Sequence, residues 1–160
     1  MNSEWLFEKL KTSEIFSELC DDELKQIATF CQLIRIDKDQ ALIDAQKSED
    51  NQALYLLIEG ATNVGVNFSE QAESHRYQLH PIDTNLYGEL AWLLKSKRTA
   101  NVTCTQQSVA VRLDGEALTQ WCQTNPVSGL EIMTKVSALL AKRVENLTTQ
   151  MKYNAMFENH

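Results

Sequence analysis

The stretch Tyr87–Val102 reads YGELAWLLKSKRTANV, and it places a glutamate directly after a glycine and an arginine–threonine pair nine and ten positions beyond that glutamate. A segment that only filled a core would not need this polar set. The run from Gly88 or Glu89 reads as one or two helical turns set between strands. The start of a helix leaves several N–H groups without partners, and with the helix dipole these favour an anion. Glycine allows close approach of a ligand to the backbone. Arg98 adds a planar, permanently charged fork suited to phosphate. Glu89 would repel phosphate but is a strong acceptor for sugar hydroxyls, so one phosphate grip beside one hydroxyl acceptor describes a ribose phosphate. Taken singly, Glu89 also reads as ordinary complementation of a helix dipole and Arg98 as a surface charge. The pair gains meaning from its frame.

Upstream of this stretch, residues 3–30 read as helical in two or three pieces, with Trp5, Leu6, Leu10, Leu24, Ile27, Ala28 and Cys31 at three- and four-residue spacings. In CDDEL an aspartate is expected to cap the second helix. From Cys31 to Asp114 short apolar segments follow one another (QLIRI, ALIDA, ALYLLIEG, TNVGVNF, HRYQLH, NVTCTQ, SVAVRLD) between polar turns. Val64, Val66 and Phe68, and again Val109, Val111 and Leu113, alternate with polar neighbours as half-buried strands do. Many short strands at this spacing predict an antiparallel sandwich, jelly roll or barrel. Past Asp114 the helical period returns: Met133, Val136, Leu140, Val144, Leu147 and Met151 are spaced 3, 4, 4, 3 and 4, an apolar stripe on a long helix.

The chain of 160 residues, 43% hydrophobic, is expected to be one domain with a core of its own. A formal net charge of −7 argues against a nucleic-acid or acidic membrane partner. The charged N-terminal segment MNSEWLFEKLKTSE is neither a signal peptide nor a spanning helix, so the expected location is cytoplasmic. Cys20, Cys31, Cys104 and Cys122 stand far apart and read as buried, reduced thiols. With them and with His75, His80 and His160 no metal cluster assembles. His75 and His80 read as exposed polar positions. No Ser/His/Asp or Cys/His constellation is present, and the protein is expected not to be an enzyme.

These residues resemble the cyclic nucleotide-binding domains of bacterial catabolite activators and of cyclic-nucleotide-dependent kinases and channels. The likeness runs from about Leu10 to Leu147: LKTSEIFSELCDDELKQIA is similar to the opening helices, ALYLLIEGATNV to a strand pair turning at Gly60, and GELAWLLKSKRTANV to the phosphate-binding cassette, with ten positions from Gly88 to Arg98. The resemblance implies an α+β fold, an antiparallel β jelly-roll barrel with N-terminal helices, a short helix inside the cassette and a long C-terminal helix. Residues 1–30 would be the helical lead-in, 31–114 the barrel with its cassette at 87–102, and 115–155 the C-terminal helices of a single domain spanning 1–160. It implies that Glu89 accepts the ribose 2′-OH, that backbone groups of Gly88, Glu89, Leu90 and Ala91 line the ribose and cyclic phosphate, that Arg98 pairs with the phosphate and that Thr99 gives it a hydroxyl. Thr99 can also reach a guanine amino group, so both cAMP and cGMP are candidate ligands, with no further cofactor. Removing the Arg98 side chain is expected to weaken binding while leaving folding little affected.

Lys97 stands where the family often has proline, and Asp39, Gln46 and Thr84 stand near places usually held by loop glycines. Aspartate tolerates the left-handed turn conformation better than the other two. Family transcription factors continue past the long helix into a helix-turn-helix, whereas this chain stops about where the helix does. Two functions follow: a cyclic nucleotide-binding regulatory or sensor domain acting through a protein partner or dimerisation, or a degenerate fold that has lost its nucleotide and serves as an interaction or dimerisation module. A homodimer through the C-terminal helix is expected. The alternative is that this stripe lies on the N-terminal helices around Trp5 and Leu10.

Overall fold

The computed structural model describes residues 3–47, 52–65 and 85–158. Helix α1 (Ser3–Thr12), a 3-10 turn (Glu14–Phe16) and helix α2 (Asp21–Ala28) lead into seven short strands among the described residues. These are β1 (Cys31–Ile36), β2 (Ala41–Ile43), β3 (Leu54–Glu59), β4 (Thr62–Gly65), β5 (Leu86–Tyr87), β6 (Asn101–Cys104) and β7 (Ser108–Leu113). Helix α3 (Glu89–Leu94) sits between β5 and β6, and α4 (Gly115–Thr124) and α5 (Pro126–Glu158) close the chain. The expected strand HRYQLH, Val66, Phe68, Thr84 and all three histidines lie outside the described residues.

The strands form two antiparallel sheets, ordered β1-β7-β3-β5 and β2-β6-β4. Among the described residues they do not close into a barrel. What is observed is a mixed helix and antiparallel-sheet architecture with a long C-terminal helix. The first sheet is covered on both faces. Leu54, Leu56, Leu86, Val111 and Leu113 pack against the helices. The alternate positions Tyr55, Leu57, Tyr87 and Ala110 pack against Leu42, Ile43, Val102 and Cys104 of the second sheet. This placement explains why LYLLI of β3 is an unbroken apolar run, and it corrects the half-buried reading of β7, whose Ala110, Val111 and Leu113 are all buried. At the β3–β4 turn, Gly60 has φ 115°, and Asp39 adopts φ 70°, the left-handed turn its side chain tolerates.

The helical core joins Leu10, Phe16, Leu24 and Ile27 to Leu118, Ile132, Val136 and Leu139. The buried stripe of α5 is therefore Ile132–Val136–Leu139, with Met133 and Leu140 only partly covered beside it. The first part of α5 packs on the N-terminal helices and the sheet together. From Val144 onward the same helix turns large apolar side chains outward: Val144 is 62% exposed and Met151 72%. At 33 residues α5 extends about 50 Å, longer than the core it covers. Two smaller expectations are corrected as well. Cys20, not an aspartate, holds the N-cap position of α2 and makes no side-chain cap bond. It is also an exposed thiol.

Candidate functional site

Strand β5 delivers the chain to Gly88, the N-cap of α3, at φ 90° and ψ 4°. Only glycine takes this conformation without strain, and there is no room for a side chain. A Cβ there would lie 2.6 Å from Arg98 Nη1 and 2.7 Å from the Ala53 carbonyl oxygen. The tight fit arises because the Arg98 guanidinium occupies that space. Its Nη1 donates to the Gly88 carbonyl at 3.2 Å and its Nη2 to the Ala53 carbonyl at 2.7 Å. Arg98 is 8% exposed. The structure thus gives it a second set of contacts, joining the start of α3 to the start of β3, which argues against the expectation that folding would hardly notice its loss.

Glu89, the first residue of α3, is 5% exposed. Its carboxylate accepts a charge-assisted hydrogen bond from Arg143 Nη1 on α5, and Arg143 Nη2 donates to the Leu86 carbonyl at 2.7 Å. Burial of a carboxylate is costly unless a cation and donors accompany it, and Arg143 supplies both. Among the described residues Glu89 and Arg98 are the two charged residues that are buried; Glu89 follows Gly88 in the chain and Arg98 donates to its carbonyl.

The other expected site residues divide by exposure. Ala91 is buried, whereas Leu90 and Thr99 face outward. Thr99 follows Arg98 in the chain but, unlike it, is exposed. The cassette helix is held from below by Trp92, whose Nε1 donates to the Gly115 carbonyl at 2.8 Å and to Thr119 Oγ1 at 3.0 Å on α4. It ends at Lys95, which takes the left-handed conformation at φ 50° while the Ser96 N–H returns to the Ala91 carbonyl at 3.2 Å. Beside Gly88, the Tyr87 hydroxyl is 2.7 Å from Thr62 Oγ1, joining the two sheets, and burial raises its pKa above the ordinary value.

The structure therefore brings Gly88, Arg98 and Ala53 into one contact and Glu89, Leu86 and Arg143 into another. Sequence reasoning missed Arg143, Ala53 and Trp92. Arg143 sits in AKRVENL, where it reads as the polar face of an amphipathic helix. Its role depends on how α5 docks, which no local spacing reveals.

No family model matches the chain, and no curated protein matches it. Solved structures do. A cyclic nucleotide-binding domain from Methylobacillus flagellatus is similar at TM-score 0.72 and 16% identity, over 95% of this chain and 83% of that one. The sensor domain of the transcriptional regulator DNR from Pseudomonas aeruginosa gives TM-score 0.68 and 18% identity, over 89% and 93%. The regulatory domain of Toxoplasma gondii PKA, solved with cAMP, gives TM-score 0.64 and 18% identity, over 90% of this chain and 50% of that one. The fold of this chain is that of cyclic nucleotide-binding domains. Among the described residues no helix is long and apolar enough to cross a membrane.

Proposed function

We propose that the chain binds a 3′,5′-cyclic purine nucleotide, cAMP or cGMP, at the Gly88–Thr99 cassette and acts as a regulatory or sensor domain. The observation that carries this reading is that the two charged residues buried among the described residues, Glu89 and Arg98, are the two to which the cassette assigns the ribose and the phosphate. Buried charges are costly to keep, and a fold that only needed packing would place apolar residues there. In this reading Glu89 exchanges Arg143 for the ribose 2′-OH. Arg98, steadied by two carbonyls, lends its charge to the phosphate. Backbone groups of Gly88, Glu89, Leu90 and Ala91 line the sugar phosphate, and the exposed Thr99 hydroxyl meets the phosphate or a guanine amino group.

Arg143 makes the proposal mechanistic. It joins α5 to the very carboxylate that a ribose would claim, so ligand occupancy is communicated to the long helix. The outward apolar side chains of α5 beyond Val144 then give that helix its output, through pairing with a second copy or with a protein effector. The proposal includes a jelly-roll wrapping of the two sheets, a cytoplasmic setting, no catalysis, no metal or further cofactor, and no nucleic-acid or membrane partner. The second reading, an interaction module that has lost its nucleotide, is favoured by the Arg143–Glu89 pair itself, which satisfies the carboxylate without any ligand.

A thermal-shift series with cAMP and cGMP separates the two. A ligand at one hundred times its Kd stabilises the folded state by about 2.7 kcal/mol, a clear rise in Tm. A rise with either nucleotide supports the sensor. No rise at millimolar concentrations of both leaves the interaction module.

A further inference from the structure

On the helical side of the first sheet, away from the face that carries Tyr55 and Tyr87, lies a cavity of about 350 Å³. Its apolar lining includes Leu56 and Leu86 of the sheet with Ile15 and Leu139 of the helices, beside the polar Thr12, Ser13 and Asn85. Three lysines also line it: Lys9 comes from α1, and Lys135 and Lys142 stand about two turns apart on α5. Glu14 is the acidic residue on the lining. Lys135 is already engaged, donating to Ser17 Oγ and lying 3.4 Å from Glu18 Oε1. Lys9 lies over the Trp5 ring, 5.3 Å from its centroid. Among the described residues neither Lys9 nor Lys142 has a salt-bridge partner.

Three lysines meeting at one cavity is unexpected in a chain with 22 acidic and 15 basic residues. The volume falls at the lower end of the roughly 300–1,000 Å³ range of small-molecule pockets, so it suits a compact ligand rather than a folded partner segment. Apolar side chains and lysines on one lining match a molecule with a short hydrocarbon body and one anionic head. We infer that this cavity is a second ligand site, separate from the cassette, for a small amphipathic organic anion of the medium-chain carboxylate class. The hydrocarbon rests on Leu56, Leu86 and Leu139, and the head group lies between Lys9 and Lys142. The inference does not depend on nucleotide binding, because no cassette residue contributes to the lining.

Octanoate tests it, titrated into the intact chain and followed by amide chemical shifts, with octan-1-ol and acetate as controls. The expected result is saturable octanoate binding with shifts centred on Leu56, Leu86 and Leu139. Octanol lacks the charge and acetate lacks the hydrocarbon, so each should bind roughly fivefold more weakly or worse. Lys9→Gln with Lys142→Gln should lose a similar factor. Ala138→Trp, a change at an exposed lining position, should block the cavity without removing charge. Non-saturable shifts, octanol binding as well as octanoate, or octanoate affinity unchanged in both the glutamine pair and Ala138→Trp would each overturn the proposal.

Discussion

The Glu89 carboxylate and the Arg143 guanidinium are paired between the cassette helix and the C-terminal helix, although 54 positions separate them in the chain. The carboxylate is the more deeply buried partner, so the pair is held in a setting where water screens it little. Removing Arg143 leaves a buried charge without its cation. Arg143→Ala should therefore cost about 1–3 kcal/mol, and Glu89→Gln combined with it should cost clearly less than the sum of the two single changes. Urea unfolding of the four proteins in a double-mutant cycle measures this, and additive losses would show that the pair is incidental.

Arg98 is predicted to matter for folding as well as for any ligand. Arg98→Ala strips two donors from the buried surroundings of the Gly88 and Ala53 carbonyls and leaves space at the start of α3. An unsatisfied buried acceptor costs about 1–3 kcal/mol, so the loss should reach at least that range. Arg98→Lys, with one point charge in place of the fork, should recover only part of it. Thermal unfolding of both variants decides, and a Tm for Arg98→Ala equal to that of the parent would contradict the clamp.

Gly88→Ala places a side chain where φ is 90° and the space is filled by Arg98 Nη1 and the Ala53 carbonyl. Conformational strain alone is about 1–3 kcal/mol, and displacement of the Arg98 clamp adds to it. A loss below 0.5 kcal/mol, within the range of an ordinary surface change, would mean that the turn has another solution.

These sites were unequally legible from sequence. The cassette helix could be read because glycine, a first-turn carboxylate and the arginine lie within one local stretch whose chemistry is visible in order. The opposed faces of β3 and β7 were harder to read: an apolar run such as LYLLI does not say whether one or two layers cover it, and only the helices on one side and β2, β6 and β4 on the other show that both faces are buried. On α5 the period was plain but its phase was not. Ile132 and Leu139, rather than Met133 and Leu140, face the core, because neighbouring apolar positions on a helix differ only by its rotation when docked. Arg143 could not be assigned at all, since an arginine in a polar helix face has no local mark that separates a solvated charge from the partner of a buried carboxylate.

The thiols should differ sharply in reactivity. Burial pushes the Cys31 thiol up from 9.0 to about 12, and it raises Cys122 as well, whereas Cys20 is exposed. A disulfide reagent at pH 8 should modify Cys20 first and Cys31 only on unfolding. With its folded pKa raised, Cys31 stabilises the fold fully below pH 9, and this contribution fades as the pH rises from 9 toward 12. Mass mapping of the modified cysteines checks the order. Fast labelling of Cys31 in the folded protein would contradict it.

The outward side chains of α5 predict self-association or an effector. Leu147 is 40% exposed on the same helix as Val144 and Met151. Sedimentation of the intact chain should show a dimer that Leu147→Glu converts to monomer, since a carboxylate in a two-helix seam is strongly unfavourable. A monomer in both cases removes the homodimer and leaves an effector protein as the route of output.

The central claim is tested most directly by calorimetric titration of the intact protein with cAMP and with cGMP, repeated on Glu89→Gln. Binding of one nucleotide per chain is predicted for at least one of them, weakened roughly tenfold or more when Glu89 loses its charge, as expected for a charge-assisted hydrogen bond to the ribose. Absence of binding by both nucleotides, or binding with the same affinity in Glu89→Gln, would contradict the account.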